Sequence, residues 1–236
     1  MNKRLLNLYS LKFNPFSSQV PAAALWVTPQ IQSFCWRIEQ QIGEGGFALA
    51  VGEPGVGKSA ALRILSEHLN GLRDLCVGTL TRPQAKMADF YRELGHLFGV
   101  ALSPSNRWHS SKSLREKWLA HIEASVYRPV LIIDEAQEIN SLVLSELRLL
   151  ASADLDSRSI LTIILAGDQR LTTRLEEPDL LPSPAACAAA CAWKPCRPKP
   201  CRNALITCLK PPAIPSCSAL LWSRPSANMP PATCAC

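Results

Sequence analysis

The sequence predicts an α/β fold in which a mostly parallel sheet is covered by helices on both of its faces. Two observations predict it. Short, wholly apolar runs alternate along the chain with segments of helical periodicity, and such runs are typical of strands buried on both faces. Glycine, proline and asparagine separate successive segments and mark their ends. The alternation therefore favours parallel strands joined by crossover helices.

The first elements are predicted from periodicity and from their stop signals. The apolar residues of 29–42 recur at helical spacing, and the glycine-rich segment 43–46 ends that helix. Residues 47–51 form a short apolar run between glycines, which indicates a buried strand. The leucines of 58–69 share one face of a helix that stops at an Asn-Gly pair.

The remaining elements repeat this pattern. Serines 110 and 111 are expected to open a long amphipathic helix, and the apolar run at 130–133 is expected to be a buried strand. The full set comprises further strands at 75–80 and 160–166 and further helices at 84–98, 111–126 and 142–151. With the elements above, four strands and five helices are predicted in alternation.

Charge is distributed unevenly along the 236 residues. Residues 1–181 contain all 19 acidic residues and 19 of the 25 Lys and Arg, so their formal charges cancel and the net charge of +6 belongs to residues 182–236. A charge-balanced body gives no bulk-charge support for a nucleic-acid partner. Because no apolar run approaches the roughly 18 residues that span a bilayer, we expect a soluble cytoplasmic protein with no membrane partner.

The segment 52–59 has the pattern G-x-x-x-x-G-K-[ST] between a predicted strand and a predicted helix. Glycines let backbone N–H groups curl around phosphate oxygens, and the following helix directs its positive end at the same anion. Lys58 is expected to reach the β- and γ-phosphates, and the Ser59 hydroxyl to bind Mg²⁺. The alternative is a glycine-rich turn without a ligand. The expected nucleotide-binding residues are Gly52, Glu53, Pro54, Gly55, Val56, Gly57, Lys58, Ser59 and Ala60.

Two carboxylates follow the apolar strand at 130–133, and the first lies 76 residues after Lys58. A buried strand delivers Asp134 beside the phosphate loop, where it can hold Mg²⁺, and places Glu135 to orient and deprotonate an attacking water. We therefore predict Glu135 and Lys58 as catalytic residues, and Ser59 and Asp134 as metal ligands. The alternative is an ordinary strand end whose acids cap the next helix. The glutamate favours hydrolysis of ATP over binding alone.

Polar residues also follow the fourth predicted strand, where Asp168 and Gln169 come after Gly167. A polar side chain at this strand end commonly senses the γ-phosphate of the nucleotide. Asp168 and Gln169 are both candidate sensors, since the sequence does not choose between them. A plain loop at this position is the alternative.

These motifs together resemble the AAA+ ATPases, in the additional-strand, catalytic-glutamate branch of the P-loop NTPases, over about residues 5–181. The sequences DEAQ at 134–137, LKFNPF at 11–16 and LAG at 165–167 look like those of two groups near the origin-recognition/DEAH-type AAA proteins. One group is the general secretion pathway A-type ATPases, and the other is the ATP-binding partners of bacterial DDE transposases.

The resemblance implies a P-loop NTPase three-layer sandwich with a mostly parallel five-stranded sheet, and ATP and Mg²⁺ as cofactors. It also implies that Asn14, Pro15 and Phe16 lie beside the nucleotide, although from the residues alone they are only a turn with an aromatic side chain. The implied organisation is an N-terminal segment packing near the nucleotide (1–30) followed by an AAA+ ATPase core (31–181).

The resemblance further implies a homo-oligomer with a macromolecular partner. Secretion-type relatives usually carry a membrane span and a peptidoglycan-binding module, and this sequence shows neither. We therefore favour a DNA-transposition accessory ATPase that works with DNA and a DDE transposase. The alternatives are a secretion-pathway ATPase and a nucleotide-dependent binding module without turnover. Arg82, Lys86 and Arg92 could contact DNA phosphates, although such a charged face is more often only solvated.

Residues 182–236 hold no acid and no glycine, but 11 of the 19 prolines and eight of the ten cysteines. The cysteines form no C-x₂-C pair and no histidine accompanies them, so we expect no zinc, and a cytoplasmic body argues against disulfides. Read one nucleotide earlier, each cysteine codon completes a Leu, Met or Val codon, and the codons of Trp193-Lys194 force a glutamate. We therefore interpret this tail as out-of-frame and expect it to be disordered.

The out-of-frame tail has a functional consequence. AAA+ proteins hydrolyse ATP between subunits with an arginine donated in trans, and in this chain the tail replaces both the arginine-bearing segment and the C-terminal helical lid. We therefore expect ATP binding with weak hydrolysis and impaired assembly. None of the arginines between residues 150 and 181 stands in the family pattern; these are Arg158, Arg170 and Arg174.

Overall fold

The computed structural model of the protein describes residues 3–10, 12–14, 17, 20–103, 106–125, 127–153 and 158–175, together with the backbone of 187–193. The helices in these residues are α1 (Lys3–Leu8), α2 (Pro29–Ile42), α3 (Lys58–Asn70), α4 (Met87–Phe98), α5 (Arg107–Ser125), α6 (Ser141–Ala151) and α7 (Gln169–Leu175). The strands are β1 (Gly46–Gly52), β2 (Val77–Leu80), β3 (Val130–Ile133), β4 (Ser152–Ala153), β5 (Arg158–Ser159), β6 (Thr162–Gly167) and β7 (Cys187–Trp193).

Five strands form one sheet in the order β2-β3-β6-β1-β7. Every pairing in this sheet is parallel, whereas β4 and β5 form a separate antiparallel pair. The predicted α/β fold with a parallel sheet is therefore confirmed. The order also places β1, β6 and β3 side by side at its centre, which decides where the site lies.

Helices cover both faces of the sheet and divide the core into two apolar clusters. Ile132 and Ile164 point toward α2 and α3, and belong to the cluster that those helices build. Their neighbours Leu131 and Ile163 point the other way, toward α4, α5 and α6. Because successive residues of a strand face opposite sides, strands covered on both sides must be apolar throughout. Across the described ranges, no helix is both long and apolar enough to cross a membrane.

Two predicted helix starts are wrong because local hydrogen bonds decide them. Helix α4 begins at Met87, three residues late, since a turn closed by Ala85 N–H donating to Arg82 O at 3.1 Å precedes it. Pro83 favours that turn because its ring presets the backbone angle. Helix α5 begins four residues early because Asn106 Oδ1 accepts a 3.1 Å hydrogen bond from its first turn and caps it.

Four features of the structure are not predicted from the sequence pattern: α1, the β4–β5 pair, α7 and β7. Strand β7 matters most, because it falls within the tail that we expected to be disordered. Its backbone pairs in parallel with β1 along Phe47 to Gly52, so the expectation of disorder does not hold for 187–193. The rest of the predicted tail lies outside the described residues.

Candidate active site

The candidate site lies where three neighbouring parallel strands end. The pairing of Val51 with Gly167 aligns the ends of β1 and β6, and the pairing of Ile133 with Leu165 brings β3 to the same edge. The phosphate loop, the Asp134-Glu135 pair and Asp168 therefore follow their strands at one edge of the sheet. Ligands of open α/β sheets bind at this carboxyl edge.

Two glycines shape the loop that follows β1. Gly55 has φ +82° and Gly57 has φ +95°, and a Cβ at either position would meet no atom within 4 Å. Backbone conformation rather than lack of space therefore requires glycine here. Glu53 and Pro54 are exposed, whereas Val56 and Ala60 are partly buried; the Val56 side chain packs against the core on the α2–α3 face.

Helix α3 begins directly after Gly57, and no side chain caps it. Uncapped N–H groups and the positive end of the helix dipole suit a phosphate group at this terminus. Lys58 is 7% exposed, and its Nζ donates to Gly52 O and Glu53 O at 2.9 Å each. The ammonium group is thus held at the base of the loop, where it can reach phosphate oxygens.

The side chains of Ser59 and Asp134 carry oxygen donors whose chemistry fits Mg²⁺. Ser59 lies exposed in the first turn of α3, and Asp134 lies partly exposed at the end of β3. A hydroxyl and a carboxylate are the hard oxygen ligands that Mg²⁺ prefers. Asp134 Oδ1 also accepts a hydrogen bond of 2.9 Å from Glu135 N–H, so this acid supports the local turn as well.

Glu135 lines a groove of about 1040 Å³. Glu138, residues 81–86 and one face of α4 also line this groove. The Glu135 side chain is exposed, while its Oε2 accepts a hydrogen bond from Gln137 Nε2. A carboxylate that is open to solvent and held by a neighbour is suited to bind and deprotonate water.

The two predicted sensor residues differ in their surroundings. The Asp168 carboxylate accepts hydrogen bonds from Arg170 N–H at 2.9 Å and from Arg170 Nε at 2.8 Å. Partial burial acts to raise the pKa of Asp168, but these bonds and the charges of Arg170 and Lys58 outweigh it, so the pKa lies below its ordinary value. The pairing of Val51 with Gly167 brings Asp168 to the end of the sheet at which the phosphate loop begins. Gln169 begins α7 and is exposed.

The N-terminal segment contacts the helix that follows the phosphate loop. Arg63 on α3 donates a hydrogen bond to Val20 O, and Val20 is buried. Asn14 is partly buried and its carbonyl accepts a 3.2 Å hydrogen bond from Ser17 N–H. The predicted contacts of Pro15 and Phe16 with the nucleotide fall outside the described residues.

Sequence reasoning misses three residues that organise this edge. The Gln137 side chain connects Glu135 to the backbone of Asp168. Arg174 donates to the carbonyl oxygens of Gln137 and Ile139, and Arg170 forms an ion pair with Glu138 at 3.3 Å besides its bonds to Asp168. Only Gln137 carries a signal in the sequence, since it belongs to the quoted motif at 134–137.

Arg82, Lys86 and Arg92 all line the groove beside Glu135. The structure therefore brings these three predicted phosphate contacts together on one surface. The same groove is also lined by four carboxylates, from Asp89, Glu93, Glu135 and Glu138, and Arg92 is bound to Asp89 at 2.5 Å. The surface is thus mixed in charge rather than basic.

Comparison with known proteins agrees with this geometry. A family model described as "AAA domain" matches residues 38–175. General secretion pathway protein A of Aeromonas hydrophila is 30% identical over 138 residues, which cover 57% of this chain and 24% of that protein. The chain therefore spans about a quarter of the length of this curated relative.

Two solved structures share the fold. CDC6P from Pyrobaculum aerophilum has a TM-score of 0.54 at 15% identity, over 80% of this chain and 49% of that one. Drosophila ORC bound to DNA has a TM-score of 0.50 at 14% identity, over 69% of this chain and 46% of that one. The family match covers more than half of the chain and includes the phosphate loop, Asp134, Glu135 and Asp168. The chain therefore belongs to the AAA domain family of P-loop ATPases.

Proposed function

We propose that this chain binds ATP with Mg²⁺ at the loop 52–59 and hydrolyses it to ADP and phosphate. One observation carries the proposal. The loop with its buried Lys58, the Asp134-Glu135 pair and Asp168 all stand at the carboxyl ends of adjacent parallel strands. Positioning and charge stabilisation account for most of the catalysis of phosphoryl transfer, and this edge supplies both.

Each residue has one part in the proposed reaction. The loop N–H groups and the Lys58 ammonium bind the phosphates and stabilise the charge that develops on them. Ser59 and Asp134 would hold Mg²⁺, which would supply neutralisation of phosphate charge when bound. Glu135 orients the attacking water and accepts its proton. Asp168 and Gln169 follow β6, the strand between β1 and β3, and act as sensors of the γ-phosphate.

Two substitutions test the proposal. Lys58→Ala should weaken ATP binding at least about tenfold, because it removes the charge that faces the phosphates. Glu135→Gln should bind ATP normally and lower kcat by roughly 10² to 10⁴, the usual contribution of a general base. Binding is measured with a fluorescent ATP analogue, and turnover by phosphate release.

Lys112→Ala and Glu116→Gln are matched controls. They repeat the same two types of substitution at exposed residues of α5, outside the site. Both should leave binding and kcat unchanged. If the unsubstituted chain were as inactive as Glu135→Gln, the proposal would fail in favour of a nucleotide-dependent binding module without turnover. We expect slow turnover, because Arg170 and Arg174, the two arginines that the structure describes after β6, are both engaged within their own chain.

For the partner, we propose that the ATPase serves DNA transposition and works with DNA and a transposase. The shared fold with an ORC that is bound to DNA supports DNA contact. In the groove of mixed charge, Arg82 and Lys86 are the cations that we propose for phosphate contact, since Arg92 is paired with Asp89. The 30% identity with general secretion pathway protein A favours the second candidate, a secretion-pathway ATPase. Duplex DNA added to the turnover assay should raise the rate, and raising the salt concentration should abolish that effect. A rate that DNA leaves unchanged would favour the secretion candidate.

A further inference from the structure

Gln137 is a buried amide that makes contacts on two sides. The residue is 8% exposed. Its Nε2 donates to Glu135 Oε2, while its Oε1 accepts from Asp168 N–H at 3.2 Å. Arg174 also donates to the Gln137 carbonyl oxygen. The Gln137 side chain thus joins Glu135, which follows β3, to Asp168, the first residue after β6.

The backbone between Glu135 and Gln137 is built for this contact. Glu135 has φ +51° and ψ +41°, a left-handed conformation that is uncommon for residues other than glycine and asparagine. A short 3-10 turn over Ala136–Glu138 follows, closed by Glu138 N–H donating to Glu135 O at 2.9 Å. The tight turn returns the Gln137 side chain to the Glu135 carboxylate. Unfavourable backbone angles of this kind persist where the surrounding structure holds them, and they are frequent at active sites.

The β6 side of the contact depends on a glycine. A Cβ on Gly167 would lie 2.5 Å from Gln137 Oε1 and 2.9 Å from Leu171 Cδ2. Both distances are shorter than Cβ contacts in proteins, so a larger residue at position 167 would displace the ends of the Gln137 and Leu171 side chains. The close approach of backbone to side chain at this point explains the glycine at the end of β6.

We infer that Gln137 is a positioning residue that holds the Glu135 carboxylate and couples its orientation to the end of β6. The inference rests on the proposed function, since Glu135 acts there as the base. A carboxylate on an exposed turn has several rotamers, and a buried donor selects one of them. Because the same amide binds the Asp168 N–H group, displacement of the β6 end changes the position of the base.

Gln137→Met keeps the volume and removes both hydrogen bonds. We expect kcat for ATP to fall about 10-fold to 100-fold, the effect of a small misplacement of a catalytic group, while KM and ATP affinity stay within about twofold because the phosphate loop is untouched. Gly167→Ala displaces the same amide from the other side and should lower kcat in the same direction.

Gln137→Glu separates positioning from a merely structural role. This variant keeps an acceptor for Asp168 N–H but loses the donor to Glu135 and sets two carboxylates against each other. If Gln137 positions Glu135, kcat should fall as in Gln137→Met. If Gln137 serves only to satisfy the Asp168 amide, Gln137→Glu should keep the unsubstituted kcat, and that result would overturn the inference.

Gln41→Met is the matched control. Gln41 is also a buried glutamine, 6% exposed, whose Nε2 donates to a backbone carbonyl, that of Phe47, at 2.9 Å. It should keep the unsubstituted kcat, and thermal unfolding of every variant identifies those that fail to fold. If the unsubstituted chain hydrolyses ATP, and the Gln137→Met and Gly167→Ala variants fold and keep the same kcat, the inference is contradicted but the proposed function is not. A chain without any turnover contradicts the proposed function and the inference together.

Discussion

Lys58 and Glu146 are the two charged side chains that the described residues bury. Burial of a charge is unfavourable unless it gains partners, and the two are paired differently. Two carbonyl oxygens of the phosphate loop accept from Lys58, and these partners carry no formal charge of their own. Glu146 instead accepts from Tyr91 Oη–H and forms an ion pair with Arg107. We therefore propose that Lys58 serves ligand binding, and that Glu146 contributes to the stability of the helical layer.

Tyr91→Phe tests the pairing of Glu146 at the scale of one residue. The substitution removes one donor from a buried carboxylate and leaves Arg107 in place, so the free energy of unfolding should fall by about 1–3 kcal/mol. Chemical denaturation measures the loss. Tyr127→Phe is the control, because Tyr127 is 48% exposed, and it should leave stability unchanged. A stable Tyr91→Phe would show that Arg107 alone suffices for Glu146.

Tyr91 also predicts that the stability of the fold depends on pH in the alkaline range. Burial, and then the hydrogen bond and charge of Glu146, raise the pKa of Tyr91 above its ordinary value of 10.0. The folded state therefore binds this proton more tightly than the unfolded state, so the stabilisation is complete below pH 10 and is lost as the pH rises above it. Burial of Cys35 raises its thiol pKa from 9.0 to about 12 and acts in the same direction. Tyr91→Phe should lose less stability above pH 10 than the unsubstituted chain; an equal loss would contradict the assignment.

At the scale of elements, β7 determines whether β1 is an inner strand or an edge strand. A strand that loses its neighbour exposes a row of unpaired N–H and C=O groups. A chain ended after Trp193 keeps the β7 pairing, and it should keep its melting temperature and ATP affinity. A chain ended after Leu181 lacks β7, and its melting temperature should fall by at least about 5 °C. Thermal unfolding of the two truncations provides the comparison, and equal melting temperatures would show that β7 contributes nothing.

The boundaries of the helices and strands show which of them apolar periodicity predicts correctly. The start and end of α2 and both ends of β3 agree with the predicted residues, because apolar spacing and strong stop signals define them. The starts of α4 and α5 differ from prediction because a turn around Pro83 and a cap from Asn106 decide them. A single side-chain or turn hydrogen bond can favour one starting residue of a helix over the next by only a small free energy. Residue composition alone therefore does not predict which starting residue is used.

At the scale of the whole molecule, the net charge of +6 comes from residues 182–236, since residues 1–181 are charge-balanced. We propose that this tail is read out of frame. Sequencing the gene and translating it one nucleotide earlier from about codon 182 should give an open frame with an arginine-bearing segment and then the start of an amphipathic helix. A stop codon, or a peptide without apolar periodicity, would contradict the proposal.

The sequence by itself determined the fold class, and it placed the phosphate loop, Lys58, Ser59, Asp134, Glu135 and Asp168 after the ends of their strands. It could do so because each group lies within a short motif directly after a strand, and strands of one parallel sheet end at one edge. Only the tertiary structure decided the contact of Gln137 with Asp168, which are 31 residues apart, and that of Arg174 with Gln137, which are 37 apart. The groove beside Glu135 and the pairing of β7 with β1 were decided in the same way. These features depend on contacts between residues that are distant in sequence and come together only when the sheet forms. A local sequence pattern does not predict such contacts.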